Sequence, residues 1–428
     1  MFQNLISRFR NSALLKDSSW SLIGNIVGKG FSLIAGIVVA RCLGKEVYGE
    51  YGIIKSTLLM IALFSSFGLG ISATKFIAEA KENCPSKLRS IELSCNLIAL
   101  IVSGIIAFFF FFFSKEISVL IEAPHLTNIL RWSAIAVVLN AINTTQIGVL
   151  GGFKAYKITA RNNIIAGIAT FLATIPLTLY YGFIGAIVAL LFSLTINCLI
   201  NRISIRTLFP QEKERITKDQ LFSIFSFSLP IAMQESLFSI TSWLISFIII
   251  KYSNYGELGL CSAATQWAAV LAFVPSALRN VALSHFSSAT KDVGKSKNIL
   301  KRLMQINFLS SMLPCILLWI CSGLICSFYG EQFIGLQGVL NIMAFGAVIN
   351  SMSNMLTQEL IALNYNWYLF LLRILRDFGI VLITCYILRD LGGGAMEYAC
   401  VSLLFNIIYL IILFYKDKRI SKKRFQMD

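Results

Sequence analysis

Residues 20–40 read WSLIGNIVGKGFSLIAGIVVA, residues 41–50 RCLGKEVYGE, and residues 51–72 YGIIKSTLLMIALFSSFGLGIS. Two apolar runs flank a short polar turn, and each is long enough to cross the ~30 Å hydrocarbon core of a bilayer as a helix. The alternation continues along the chain. Apolar runs fall at 20–40, 51–72, 93–113, 132–151, 163–181, 183–201, 222–250, 258–280, 305–328, 336–363, 367–388 and 394–415, which predicts an all-α integral membrane protein with twelve transmembrane helices. Composition agrees: 57% of residues are hydrophobic, 14% are charged and the mean hydropathy is +0.74, values foreign to a soluble domain of this length.

The formal charge of +16 would suit a nucleic-acid binder, but its placement excludes that reading. Basic residues crowd the N-terminal tail (Arg8, Arg10, Lys16) and the second, fourth, sixth and eighth connections, and six more lie in the C-terminal tail from Lys416 to Arg424. The intervening connections carry little: Arg41 and Lys45, then Lys115, Lys251 and Arg389. Excess Lys and Arg marks the cytoplasmic side, so both termini are expected in the cytoplasm of an inner-membrane-type protein. The first apolar run is of full span length and is expected to act as an anchor. Residues 2–15 place Phe2, Leu5, Ile6 and Phe9 on one helical face, which fits either a short helix on the cytoplasmic leaflet or a frayed basic tail.

The basic linker at 202–221 divides the chain into an N-terminal six-helix lobe at 19–201 and a C-terminal six-helix lobe at 222–415, with tails at 1–18 and 416–428. A sequence echo supports duplication: Val47-Tyr48-Gly49-Glu50-Tyr51-Gly52 follows the first span, and Asn254-Tyr255-Gly256-Glu257-Leu258-Gly259 follows the seventh. Halves that start and end on one side are related by an axis along the membrane normal, and substrate sites in such carriers lie near the midplane.

Charges deep in the spans are therefore the candidate site, because burying one in lipid is costly unless it faces a cavity or a partner. Lys29 lies about halfway along the first span, one turn beyond Asn25; Glu235 lies at similar depth in the seventh. They fit either a buried ion pair or a gate in which a cationic phosphate-binding group competes with an acid. Arg373, Arg376 and Asp377 share one face of the eleventh span at offsets of three and four. That spacing lets Arg373 pair with Asp377 and leaves Arg376 available, either to snorkel to headgroups or to bind phosphate through its planar fork. Arg279 ends the eighth span; Lys55 and Arg131 sit at the outer ends of the second and fourth. Asn140 and Asn143 with Gln146, and Asn350 and Asn354 with Gln358 and Glu359, form polar rows suited to interhelical hydrogen bonds or to sugar hydroxyls. Glu235, Asp377 and Glu397 are candidate coupling or gating carboxylates. The ten cysteines form no C-x-x-C pair and there are two histidines, so no metal is expected. Gly294-Lys295-Ser296 lacks the glycine that a phosphate loop requires, and no catalytic residues are identified, so the chain is not expected to be an enzyme.

Asn25, Ala40-Arg41-Cys42-Leu43-Gly44, Tyr48-Gly49, Gly68-Leu69-Gly70 and Lys75-Phe76-Ile77-Ala78-Glu79 together resemble the opening of bacterial polysaccharide-exporter flippases, including O-antigen flippases of the multidrug/oligosaccharidyl-lipid/polysaccharide exporter superfamily. Leu229-Pro230 and Tyr255-Gly256 leading into Ser262-Ala263-Ala264 agree in the second half. The resemblance runs over roughly 13–415. Where the family usually has Gly-Pro after Leu, this chain has Gly44-Lys45. It implies a V-shaped pair of lobes working by alternating access and moving an undecaprenyl-pyrophosphate-linked oligosaccharide from the inner to the outer leaflet. Lys29 fits that family's basic cavity by location. Membrane lipids and polysaccharide polymerase or assembly proteins are the implied partners, no cofactor is implied, and the coupling ion is left between H+ and Na+. A complete six-plus-six unit suits a monomer. The rival function is a cation-coupled drug or metabolite antiporter of the same superfamily, which would favour a carboxylate where the first span carries Lys29.

Overall fold

The computed structural model describes the backbone of residues 13–208, 217–273, 275, 293–363 and 365–425; among these, the side chains of 13–26, Lys29, 82–83, 230–238, 293, 295–296, 362, 366 and 422–425 lie outside the described set. Of the N-terminal segment at 2–15, residues 2–12 also lie outside it. Its α-helices are α1 (Ala13–Ser66), α2 (Leu69–Asn83), α3 (Leu88–Phe112), α4 (Ser114–Leu120), α5 (Thr127–Gly152), α6 (Tyr156–Arg206), α7 (Lys218–Tyr252), α8 (Tyr255–Leu271), α9 (Val293–Tyr329), α10 (Leu336–Ala362), α11 (Asn366–Tyr386) and α12 (Ala395–Phe425). Short 3-10 turns precede α3, α5 and α10, and a π-helical turn, Ile387–Leu391, follows α11. The fold is all-α.

Seven of the described helical segments are long and apolar enough to cross a membrane. Two of these, Gly30–Lys81 and Tyr156–Arg206, hold 52 and 51 residues. Glycines at positive φ break both: Gly44 (φ 74°) within α1, with a second break at Phe67-Gly68 before α2, and Gly182 (φ 55°) within α6. Glycine has no Cβ to oppose that conformation, so Gly44 and Gly182 each break the helix that contains them. Outward faces are apolar. The span Pro85–Phe112 has a mean hydropathy of 2.5 with only 28% of its apolar window buried. Phe108, Phe109, Phe112 and Phe113 of the phenylalanine run are exposed. Apolar faces left open on this scale mark a surface covered by lipid.

The chain forms two compact units. The first holds residues 1–43 and 50–247, the second residues 44–49 and 248–428. In the first, α5 is the central helix, packed against α2, α3 and α6. Gly70 and Gly148 let α2 and α5 approach backbone to backbone, where a Cβ on Gly148 would overlap the Gly70 carbonyl. The start of α7 belongs to this unit: Ser228 hydrogen-bonds Ser72 at 2.6 Å, Phe225 stacks on Phe67, and Lys75 lies 4.0 Å from the Phe227 ring centre. In the second unit α10 is central, packed against α8, α9 and α12. The segment Gly44–Gly49 is part of this unit: Tyr48 donates to Gln266 at 3.2 Å, and a side chain on Gly49 would collide with the Tyr255 carbonyl. The two echoed Tyr-Gly-Glu turns thus meet each other there.

Candidate functional site

Of the residues singled out in the sequence, Arg279 lies outside the described residues. Lys29 and Asn25 lie on α1 and Glu235 on α7, with side chains outside the described set. The remainder can be placed.

On α11, Asp377 is buried and takes two hydrogen bonds on Oδ1 from Arg376, from Nε at 2.8 Å and from Nη2 at 2.7 Å. Arg373 approaches Oδ2 at 3.7 Å with half its side chain exposed. This corrects the expectation from spacing. Arg376 is the closely held partner; its Nη1 also donates to Asn406 at 3.4 Å and its guanidinium lies 4.8 Å from the Tyr409 ring centre. Arg373 is the more exposed of the two arginines. Adjacent helical residues do not face each other by Cβ direction, but the long Arg376 side chain curls back to its neighbour. α12 supplies the amide and ring that hold it there.

Asn350 and Asn354 stand exposed, one turn apart, on α10. Polar amides exposed midway along a span face water or a polar ligand in preference to lipid, since an unsatisfied amide in hydrocarbon costs several kcal/mol. Asn140 and Asn143 on α5 are half-buried and engaged. Asn140 accepts from Thr144 at 3.3 Å, and Asn143 accepts from Asn201 at 3.0 Å. Asn201 accepts from Asn162 at 2.9 Å, which accepts from Ser204 at 3.1 Å, so an amide chain ties both halves of α6 to α5. Lys55 is exposed on α1. Arg131 lies 5.4 Å from the Phe111 ring centre and donates to Ser114 at 3.3 Å. Glu397 caps its own helix: its Oε2 accepts from Gly394 N at 2.6 Å, while Glu257 accepts from Ala395 N at 2.7 Å.

Two acidic centres were not among the residues chosen from the sequence. Glu92, fully buried near the start of α3, is clamped by Arg202 on Oε1 and by Arg89 at 3.0 Å on Oε2, with Asn96 donating to Oε1 at 2.5 Å. Asp417, near the end of α12 and also buried, hydrogen-bonds Glu359 of α10 and Ser421, with Lys297 close by. Among the described residues no group of three or more His, Cys, Asp or Glu is arranged to hold a metal ion.

Apolar helices in this number define a multi-pass membrane protein. The fold is similar to that of solved transporters of the MOP superfamily. It superimposes with a TM-score of 0.78 on an inward-facing multidrug-resistance MATE family transporter, at 14% identity over 95% of this chain and 99% of that one. It superimposes with a TM-score of 0.75 on the lipid II flippase MurJ in an inward closed conformation, at 15% identity over 92% and 87%. Residues 14–281 match the polysaccharide biosynthesis protein family, and the chain belongs to that family. It is 21% identical to a Shigella flexneri protein named "Putative O-antigen transporter", over 80% of this chain and 83% of that protein. It is 26% identical to an uncharacterized membrane protein of Methanocaldococcus jannaschii, a match that spans 42% of each chain.

Proposed function

We propose that the protein is a flippase that carries an undecaprenyl-pyrophosphate-linked oligosaccharide, an O-antigen or similar surface-polysaccharide unit, from the inner to the outer leaflet of the cytoplasmic membrane. The observation that carries this reading is the family match over residues 14–281, joined by likeness over 80% of the chain to the protein named "Putative O-antigen transporter". The fold itself is shared with a multidrug transporter and a lipid II flippase and does not choose between them. The half-exposed Arg373 and the Asn350–Asn354 row supply the chemistry such a substrate needs, a cation for phosphate and amides for sugar hydroxyls. Lys29 and Arg279 are further cationic candidates, and Glu235 and Asp377 remain candidates for coupling to H+ or Na+.

The proposal includes twelve spans in two six-helix lobes with both termini cytoplasmic. Breaks at Gly44 and Gly182 divide two of the seven long apolar segments, and α7, α8 and α11 supply the rest, which supports that count. The test is accumulation of the lipid-linked glycan in cells lacking the gene. Build-up relieved by wild type but not by a Lys29→Ala/Arg373→Ala variant is the expected result. Unchanged glycan and unchanged surface polysaccharide would overturn the flippase reading in favour of the drug or metabolite antiporter.

A further inference from the structure

A cavity of about 540 Å³ opens on the second unit between the start of α9, the end of α12 and the flank of α10. Its walls share one polarity. On α9, Lys297 and Lys301 are one turn apart, and Phe308 follows two turns later along the same stripe. On α12, which runs the opposite way, Phe414 comes first and Asp417 follows at the cavity's lysine-rich end. Met352 of α10 forms an apolar floor. The cavity is therefore cationic at one end and apolar at the other, with about 10 Å of helix rise between Lys301 and Phe308. Phe308 and Phe414 are each 43% exposed, so apolar surface continues from the cavity into the lipid-facing belt.

We propose that this cavity binds an anionic phospholipid from the leaflet that the basic α9 entry faces, with the headgroup phosphate on Lys297 and Lys301 and an acyl chain along Phe308, Met352 and Phe414. The charge balance selects an anionic headgroup. Its lining sets two lysines, Lys297 and Lys301, against one carboxylate, Asp417. One phosphate completes neutrality. A zwitterionic headgroup would bring its own cation to a rim that already holds two. A soluble phosphate would leave the apolar half uncovered. The inference rests on the cavity and not on the flippase reading, and it concerns a bulk lipid, not the transported glycan.

The experiment uses the full chain purified in mild detergent and titrated with phosphatidylglycerol or phosphatidylcholine, with bound lipid counted by native mass spectrometry. Wild type is expected to prefer phosphatidylglycerol, and Lys297→Ala/Lys301→Ala to lose roughly 5-fold of affinity per lysine, the scale of a basic residue at an anionic surface. Asp417→Asn is expected to strengthen the preference. A photoactivatable phosphatidylglycerol should label peptides around 300–308 and 414 in wild type, a readout that does not depend on any variant folding. No preference in wild type, a preference unchanged in the double variant, labelling elsewhere only, or displacement of the lipid by millimolar inorganic phosphate alone would each overturn the proposal.

Discussion

Replacing Glu92 tests what holds the first unit together. Its carboxylate is fully buried and joins α3 to the end of α6: Arg202 contacts one oxygen, Arg89 the other, and Asn96 donates to the first. Removing one member of a buried ion pair costs about 3–5 kcal/mol, because the remaining charge is left without a partner. Here the partners are 19% and 31% exposed, so both guanidinium groups can reach toward water once released, which places Glu92→Ala near ~3 kcal/mol, the lower end of that range. Arg89→Ala should cost less, about 1 kcal/mol, because Arg202 still neutralises the carboxylate. The order Glu92→Ala, then Arg202→Ala, then Arg89→Ala follows. Thermal unfolding of purified protein, read by thiol labelling of cysteines such as the buried Cys95 as they become accessible, measures it directly. A Glu92→Ala/Arg202→Ala double variant should be less destabilised than the two single losses added. Additive losses, or a Glu92→Ala melting temperature equal to wild type, would refute the clamp.

Gly148→Ala should destabilise the first unit by about 1–3 kcal/mol, because the new methyl meets the Gly70 carbonyl rather than a flexible side chain; an unchanged melting temperature would contradict the close approach of α2 and α5. Asn254→Ala removes the cap on α8, whose side chain accepts from Glu257 N at 2.9 Å, and should cost about 1 kcal/mol in the same assay. Asn350→Leu/Asn354→Leu should abolish glycan export in complementation while leaving thermal stability within about 0.5 kcal/mol of wild type, as exposed substitutions do. A variant that exports normally would remove that row from the substrate path.

The architecture is largely legible because hydropathy and glycine placement act locally. The apolar runs at 163–181 and 183–201 leave only Gly182 between them, and α6 breaks at that residue. The polar rows on the fourth and tenth runs have a structural counterpart. They lie on α5 and α10, the central helices of their units; on α5 Asn143 meets Asn201, whereas on α10 Asn350 and Asn354 are exposed. What sequence spacing could not supply is the reach of long side chains. Offsets of four assign Asp377 to Arg373, yet Arg376 folds back and takes the shorter contacts. Span-averaged hydropathy also hides acids at span ends. Glu92 falls just before the run at 93–113 and reads as part of a polar connection, but α3 begins at Leu88 and buries it. Asp417 reads as part of a basic tail, whereas α12 continues to Phe425. Partners from distant runs, Arg202 for the first and Glu359 for the second, decide both cases.

Gly44–Gly49 has a consequence for biosynthesis. This six-residue excursion is made early by the ribosome, yet its packing partners, Tyr255, Gly259, Gln266 and Gln332, are encoded far downstream. At roughly 5–20 residues per second, the bend waits about 10–40 s for Tyr255 to be made. Through that interval its neighbours on either side are already free to enter the bilayer, while the bend itself has nothing to close against. A nascent chain arrested before Tyr255 would lack every one of these partners.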